Sequence, residues 1–407
     1  MADDGAAYDL QLDRLLTASD VAAALAIGSR AGIPHQNMVA ADAHGDIGWT
    51  IAGRRLFFGL PPAPADGYAR FGPPGAATTL ADLQIARADD QPLPPFIEGP
   101  ADGQLWTANA RTVDQRTPDA SAATPHAMLY PPIGDGGYDL GARAQQIRDR
   151  LRATPRFDET TLGAIQLDDE SLFLRPWAGR IAGVATGPTA RPDVTRLLKD
   201  WNGRADADQA GHRLVHETRE RVMDALWTAW TRPLLAGRGC VRRDYKWHAR
   251  FEYAVEQALD QRPAHLLPPG FGSWDTFLLA QLDATVASMT HDGARPLAQA
   301  TWGETNASHV GHPLARALPV LSRWLDMPSV PQSGDGNMPR VAAPGFGQSE
   351  RLVVAPGHEE RATLSMPGGQ SGHPMSPYYG AGHDDWVAGR RVPLLAGTAE
   401  HVLELTP

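Results

Sequence analysis

The stretch that decides the fold reads NMVAADAHGDIGWTI, residues 37–51. Its two ends, residues 37–41 and 47–51, are runs of β-forming residues. Between them lies a short segment with Gly45 and acidic residues, which suits a tight turn. We therefore predict a β-hairpin here. Residues 1–32, which precede it, predict a helix that Ser19 caps and that ends at Gly32.

On the C-terminal side of the hairpin, residues 60–100 are rich in Pro, Gly and Ala and predict a covering loop. Residues 105–113 predict a short strand. Asp139 then suits the cap of a helix with Leu140, Ala144, Ile147 and Leu151 on one stripe.

From about residue 141 to 325, apolar residues recur at helical spacing, and this predicts four or more amphipathic helices. The stripes are Val194, Leu197, Leu198 and Trp201, then Val215, Val222, Leu226 and Trp230, then Phe251, Val255 and Leu259, and finally Leu278, Leu282, Val286 and Met289.

After Pro328 the period falls back toward two, with β-type runs at 351–354 and 362–365. The chain order is strands, then a long helical region, then strands that complete the sheet. This order indicates an α+β fold rather than a doubly wound one. We predict three regions, 1–140, 141–325 and 326–407, packed as one unit.

Composition excludes several classes of function. The formal net charge is −10, and no cluster of Lys and Arg lies on one stretch, so nucleic acid is not expected as a partner. The longest apolar run, Val21–Ile27, is far shorter than the ~20 residues of a membrane-spanning helix, so no membrane is expected. The first residues have no signal-peptide pattern. The single cysteine, Cys240, excludes an internal disulfide and has no His-bearing motif beside it.

Nucleotide-binding and zincin motifs are absent from the sequence. GQSG at 369–372 has the wrong spacing for a nucleophile elbow, which favours a turn role for Ser371. His309 and His312 beside Glu304 can be interpreted as a metal pair, but Pro313 favours a turn.

Asp168, Asp169 and Glu170 form an acidic triplet. These residues are candidates for general acid and base or for calcium ligands. A solvated or helix-capping cluster is the favoured alternative. Asn109, at the end of the strand predicted over 105–113, can offer a side-chain N–H to a developing oxyanion, although most strand-end asparagines only form turns.

Several segments, taken in chain order, resemble the penicillin acylase family of the N-terminal-nucleophile hydrolase superfamily, specifically the C-terminal part of its large subunit. The similarity runs from about residue 10 to 407, and PGGQSGHP at 367–374 is its most specific stretch. The other segments are QNMVAAD (36–42), GDIGW (45–49), GQLWTAN (103–109), GARAQQI (141–147), IQLDDES (165–171), WNG (201–203), WG (302–303) and GDGN (334–337).

This resemblance implies an αββα sandwich, here partial and with a large helical insertion. It also implies hydrolysis of linear N-acyl amides by a serine at the start of the large subunit, through an acyl-enzyme and without a catalytic cofactor. Asn109 matches the oxyanion-hole asparagine, and Arg143 matches an arginine that organises the active centre. A structural calcium would use Asp135 or Asp139. The full-length family protein is expected in the periplasm.

Two departures from the family are expected to weaken local hydrogen bonding: Ala110 stands where the family has a second asparagine, and Asn202 stands where it has an aspartate. The serine start of the large subunit has no counterpart in these residues, so we expect the chain alone to be inactive. Its expected partners are the N-terminal portion of the acylase and an N-acyl small molecule. The alternatives are a non-catalytic degenerate or truncated scaffold, and a metal-dependent amidase acting through the histidines.

Overall fold

The computed structural model of the chain describes residues 8–53, 96–109, 139–235, 247–399 and 401–405. The chain divides into two compact units, Met1–Gly136 and Gly137–Pro407. The described residues combine helices with small antiparallel sheets, as the α+β class requires. The αββα sandwich and the region boundaries at residues 140 and 325 stay predictions.

The hairpin is the centre of the first unit. Strands β1 (Gln36–Ala41) and β2 (Ile47–Ala52) pair antiparallel along their full length, which confirms the predicted hairpin. Asp42 closes the turn, because its Oδ1 accepts hydrogen bonds from the backbone N–H of His44 at 2.9 Å and of Asp46 at 3.2 Å. An aspartate that bonds the backbone two residues on is a common turn device.

A third strand, β3 (Phe96–Glu98), pairs with β2. The predicted covering loop over 60–100 is therefore wrong at its end, where a run of three residues is too short for a period to be recognised. The predicted strand over 105–113 is also wrong for residues 105–109, which have no strand pairing. Residues 110–113 lie outside the described part.

Helix α1 (Val21–Arg30) packs on this sheet. Its cap is Asp20 rather than the predicted Ser19, because the Asp20 carboxylate accepts from the Ala23 N–H at 2.8 Å. The continuous helix predicted for residues 1–32 is wrong, since Gln11–Thr17 forms a separate 3-10 helix.

Helices dominate the second unit, and the four predicted amphipathic stripes lie on α5 to α8. The helices are α2 (Ala142–Ala153), α3 (Glu159–Gln166), α4 (Arg175–Ala185), α5 (Pro192–Asp200), α6 (Ala210–Leu235), α7 (Phe251–Gln261), α8 (Trp274–Thr290), α9 (Pro313–Ala317), α10 (Ser322–Leu325) and α11 (His383–Ala388). Short 3-10 turns lie at Ala264–Leu266, Leu297–Gln299, Trp302–Glu304, Pro319–Leu321 and Glu359–Arg361.

Helix α6 is central to this unit, because it contacts α4, α5, α7 and α8. Its apolar face is fully buried with those of its neighbours, as amphipathic helices require. The largest completely buried apolar side chains here are Trp177, Leu214, Met223, Leu226, Phe277, Leu282 and Met289.

The start of α2 differs from the prediction. Gly141, with φ +89°, is the residue before the first turn, a conformation that glycine adopts without a Cβ penalty. Asp139 does not cap the helix. Its carboxylate instead forms an ion pair with Arg143, one turn further along.

The chain returns to sheet after the helices, as predicted. Strands β4 (Ala342–Ala343) and β5 (Phe346–Gly347) form one antiparallel pair, and β6 (Arg351–Val353) and β7 (Thr363–Ser365) form another. Among the described residues, no helix has both the length and the apolar composition needed to cross a bilayer.

Candidate functional site

Asn109 has an unusual backbone. It is exposed, and its φ of +57° places it in the left-handed region, which few residues other than glycine occupy. Asparagine tolerates this region better than most side chains, and backbone strain of this kind concentrates at functional sites. The conformation is compatible with the oxyanion role, which stays a prediction.

Arg143 lies in the first turn of α2, and its side chain is mostly buried. The ion pair with Asp139 fixes its direction, because the two residues lie four positions apart at the helix start. Asn109 belongs to the first unit and Arg143 to the second. Their joint role in one active centre stays a prediction.

Of the two predicted calcium ligands, one belongs to the described part of the chain. Asp135 lies outside the described residues. Asp139 is described, but its carboxylate is already paired with the Arg143 guanidinium, and no other acidic residue of the described ranges joins it in a group of three metal-ligand side chains. Calcium takes six to eight oxygen ligands, and the calcium site at Asp135 or Asp139 stays a prediction.

The acidic triplet is a buried ion-pair network, which corrects the favoured prediction of a solvated or capping cluster. Asp168 is 8% exposed and Asp169 only 2%. Asp168 Oδ2 accepts from Arg150 Nε at 2.6 Å and from Gln146 Nε2 at 2.8 Å. The other partners are Arg204 and Arg340 for Asp169, and Arg150 and Arg175 for Glu170.

The two neighbouring aspartates differ in acidity. Burial raises the pKa of Asp168, but the hydrogen bonds from Arg150 and Gln146 outweigh it and hold this pKa below its usual range. Burial also raises the pKa of Asp169, and there the positive charges of Arg204 and Arg340 do not offset it. Both groups are enclosed by arginines from distant parts of the chain, so the network joins these segments to one another.

A second buried cluster lies where α6 meets the loop at 332–340. His212 Nε2 lies 3.1 Å from Asp335 Oδ2, and His216 Nδ1 lies 2.8 Å from the same oxygen. These three side chains offer one possible metal-ligand atom each, and the three atoms lie within 4.8 Å of one another. The two histidines share a helix face because they are four residues apart. The aspartate arrives from a loop more than a hundred residues further on.

The surroundings fix the orientation of the His212 ring. Ser171 Oγ lies 2.9 Å from His212 Nδ1, and the indole of Trp302 contacts both imidazoles with ring centroids 4.8 Å apart. Asp335 Oδ1 in turn accepts from the backbone N–H of Gly336 at 2.6 Å. Each ring is therefore held by polar and aromatic neighbours.

The pKa values of Asp335, His212 and His216 are shifted by burial and by the charges of one another. Burial raises the pKa of Asp335, but the charge on His216 and the hydrogen bonds from both histidines outweigh it and hold that pKa well below its usual range. Burial lowers the pKa of His212, and Asp335 does not fully compensate. Burial opposes protonation of His216 as well, but there the carboxylate of Asp335 prevails and raises the pKa.

The order Ser171, His212, Asp335 resembles the chain of nucleophile, base and acid in serine hydrolases. Ser171 and His212, however, are completely buried, so no substrate reaches the hydroxyl. The cluster holds this part of the chain in place or binds something small. It does not serve as a second nucleophile.

The sequence analysis missed this cluster, although one signal was present. His212 and His216 form an i, i+4 pair within a predicted helix, a spacing that presents two imidazoles side by side. Asp335 lies in the GDGN segment, which entered only as part of the family resemblance. Nothing in the sequence joins the two.

The other candidates take structural roles. His312 caps α9, because its Nδ1 accepts from the Leu314 N–H at 3.1 Å, and Glu304 pairs with Arg213 and Arg295. In the described ranges these residues do not group as metal ligands, in line with the predicted turn. Ser371 Oγ accepts from the His373 N–H at 3.2 Å, as a turn serine does. Cys240 lies outside the described residues.

Comparison with known proteins confirms the family resemblance. The sequence profile of the penicillin amidase family matches residues 6–401. Penicillin acylase 2 proenzyme of Pseudomonas sp. (strain SE83) is 27% identical over 315 residues, covering 74% of this chain and 37% of the relative. Acyl-homoserine lactone acylase QuiP of Pseudomonas aeruginosa is 26% identical over 410 residues, covering 88% of this chain and 44% of the relative. The chain thus spans less than half the length of either relative.

Proposed function

Because this chain belongs to the penicillin amidase family, we propose that it forms part of an enzyme that hydrolyses linear N-acyl amides. The observation that carries the proposal is the extent of the family match, which includes both Asn109 and Arg143. Two relatives support it, since one is named as a penicillin acylase and the other as an acylase of homoserine lactones.

In the proposed reaction a serine hydroxyl attacks the amide carbonyl, the amine leaves, and water hydrolyses the acyl-enzyme. The Asn109 side-chain N–H donates to the oxyanion that forms during attack. Asn109 is exposed, and its left-handed backbone conformation is of the kind that functional sites retain. Arg143 acts as a positioning residue, and the reaction uses no cofactor.

The serine nucleophile is proposed to come from a segment outside these 407 residues, the N-terminal portion of the acylase. This is consistent with a chain that matches less than half of each relative. The assembled enzyme would have the αββα sandwich and would work in the periplasm. Its substrate is an N-acyl small molecule with an arylacetyl, dicarboxylic or fatty acyl group.

The proposal is tested by measuring hydrolysis of a chromogenic phenylacetyl or fatty-acyl anilide. The chain is assayed alone and after mixing with a separately produced N-terminal portion of a family member. We expect release of the chromophore only in the mixture. Asn109→Ala is expected to lower turnover by about 10²–10³-fold, the usual cost of one oxyanion-hole donor.

Asn202→Ala is the matched control. This asparagine is exposed, and its amide donates to the Asp206 carboxylate at 2.8 Å, so its loss should leave turnover within about twofold of the parent. Hydrolysis by the chain alone would place the nucleophile within these residues. No hydrolysis in either preparation would favour the alternative, a scaffold without catalytic activity.

A further inference from the structure

The cluster of His212, His216 and Asp335 offers three metal-binding atoms in one place. Both imidazole nitrogens lie within hydrogen-bond distance of the same carboxylate oxygen, at 3.1 and 2.8 Å. Two of the three ligands come from one face of α6, and the third comes from a loop that packs on it. A site with ligands on a helix is well defined before any ion binds.

The donor set selects a class of ion. Two imidazole nitrogens and one carboxylate oxygen suit Zn²⁺ and its neighbours Co²⁺ and Ni²⁺. In a tetrahedral zinc site with bonds of about 2.05 Å, ligand atoms lie roughly 3.3 Å apart. The two nitrogen–oxygen separations need to widen by only a few tenths of an ångström to reach this value, and the two imidazole nitrogens lie within 4.8 Å of each other. Calcium, which takes six to eight oxygens, is a poor match.

The surroundings already supply what zinc sites usually have around their ligands. The Ser171 hydroxyl engages the other nitrogen of His212, which keeps Nε2 turned toward Asp335. Trp302 packs against both rings and shields the cluster. About a quarter of the His216 side chain is exposed, and this is the side from which an ion can enter.

Electrostatics favour a cation at this point. A buried carboxylate is costly unless it is neutralised, and Asp335 is only 7% exposed. The nearest basic side chains are the two histidines themselves. The neighbouring guanidinium of Arg219 is already engaged by Glu252 and Glu220. A divalent ion between the three ligands would neutralise Asp335 and replace the protons on the two ring nitrogens.

We propose that His212, His216 and Asp335 bind a divalent transition-metal ion of the Zn²⁺ class. The ion fastens α6 to the loop at 332–340, in an enclosure that admits at most a small fourth ligand. Its role is structural, so the site is independent of the proposed amide hydrolysis. Ligands that lie 119 residues apart in sequence, His216 and Asp335, become linked through the metal.

The test uses the untagged 407-residue chain, stripped with a chelator and then titrated with Zn²⁺ or Co²⁺ alone. We expect one ion per chain by elemental analysis, a rise in the thermal midpoint, and visible absorption of tetrahedral Co²⁺. Ca²⁺ should produce none of these. Ser171→Ala should weaken Zn²⁺ binding by about 10–100-fold, as losses of outer-shell partners do.

Asp335→Asn and His216→Gln should abolish the Co²⁺ spectrum. His216→Gln is the safer variant, because this ring is partly exposed, and circular dichroism verifies that each variant is folded. The double variant His309→Gln/His312→Gln is the matched control and should bind one ion like the parent. The proposal is overturned if the folded parent binds no Zn²⁺ in stoichiometric amount, if His216→Gln binds as tightly as the parent, or if only the control loses binding.

Discussion

Arg219 and Glu252 form an ion pair inside the apolar core of the second unit. Their exposed fractions are 4% and 1%, and the Glu252 carboxylate also accepts from Trp177 Nε1 at 2.7 Å. Arg219 Nε lies 3.2 and 3.1 Å from the two carboxylate oxygens. A pair this deep is a poor source of net stability, but Glu252 depends on Arg219 for its neutralisation, and Arg219 is shared between Glu252 and the more exposed Glu220.

At the scale of the residue, we predict that Glu252→Gln lowers the free energy of unfolding by about 3 kcal/mol, because the buried Arg219 charge loses the more buried of its two carboxylate partners, Glu252 and Glu220. Asp260→Asn removes the same chemical group from the exposed pair with Arg180 and should cost no more than about 1 kcal/mol. Urea unfolding followed by circular dichroism measures both. Equal losses in the two variants would contradict this account.

At the scale of the element, Gly48 determines how closely α1 lies on the hairpin sheet. A Cβ at this position would lie 2.6 Å from Val21 Cγ1 and 2.7 Å from Leu25 Cδ1. Both are closer than real carbon atoms approach, and both side chains are buried. The helix can rest on β2 only because this residue has no side chain.

We predict that Gly48→Ala destabilises the first unit by about 1–3 kcal/mol, the usual cost of overpacking. Gly183→Ala in α4 is the control, because a Cβ there would meet nothing within 4 Å. That change should stabilise by about 0.5–1 kcal/mol, since alanine is the better helix former. The shifts are read from thermal unfolding midpoints. A loss of stability in Gly183→Ala as large as in Gly48→Ala would refute the packing argument.

At the scale of the whole molecule, the hairpin sheet has two edges, β1 and β3, in the described part of the chain. Val39 on β1 is 51% exposed and Ile97 on β3 is 42% exposed. Edge strands with apolar side chains readily pair with further strands. Such a surface suits the proposed partnership with the N-terminal portion of the acylase.

We therefore predict that mixing with that N-terminal portion slows amide hydrogen exchange in peptides covering β1, because new strand pairing protects its outer N–H groups. Peptides from the buried centre of α6 serve as the control and should exchange at the same slow rate in both samples. Unchanged exchange in β1, in a mixture that does hydrolyse amides, would show that the partner does not bind at this edge.

The sequence by itself determined the family, the hairpin and the helices α5 to α8 of the second unit. Each depends on local information: the run of β-formers and Gly45 around one turn, or an apolar stripe such as Leu278, Leu282 and Val286 at helical spacing. The family segments are likewise stretches of consecutive residues. Patterns of this kind can be recognised without knowing what lies across the core.

Only the tertiary structure decided which polar groups meet. His216 and Asp335 are 119 residues apart, and no period relates them, yet packing places His216 Nδ1 2.8 Å from Asp335 Oδ2. The same holds for Asp168, predicted as a solvated acid, which the fold buries beside Arg150. Burial and pairing depend on which distant elements pack together, and this is settled by the apolar core as a whole rather than by any local pattern.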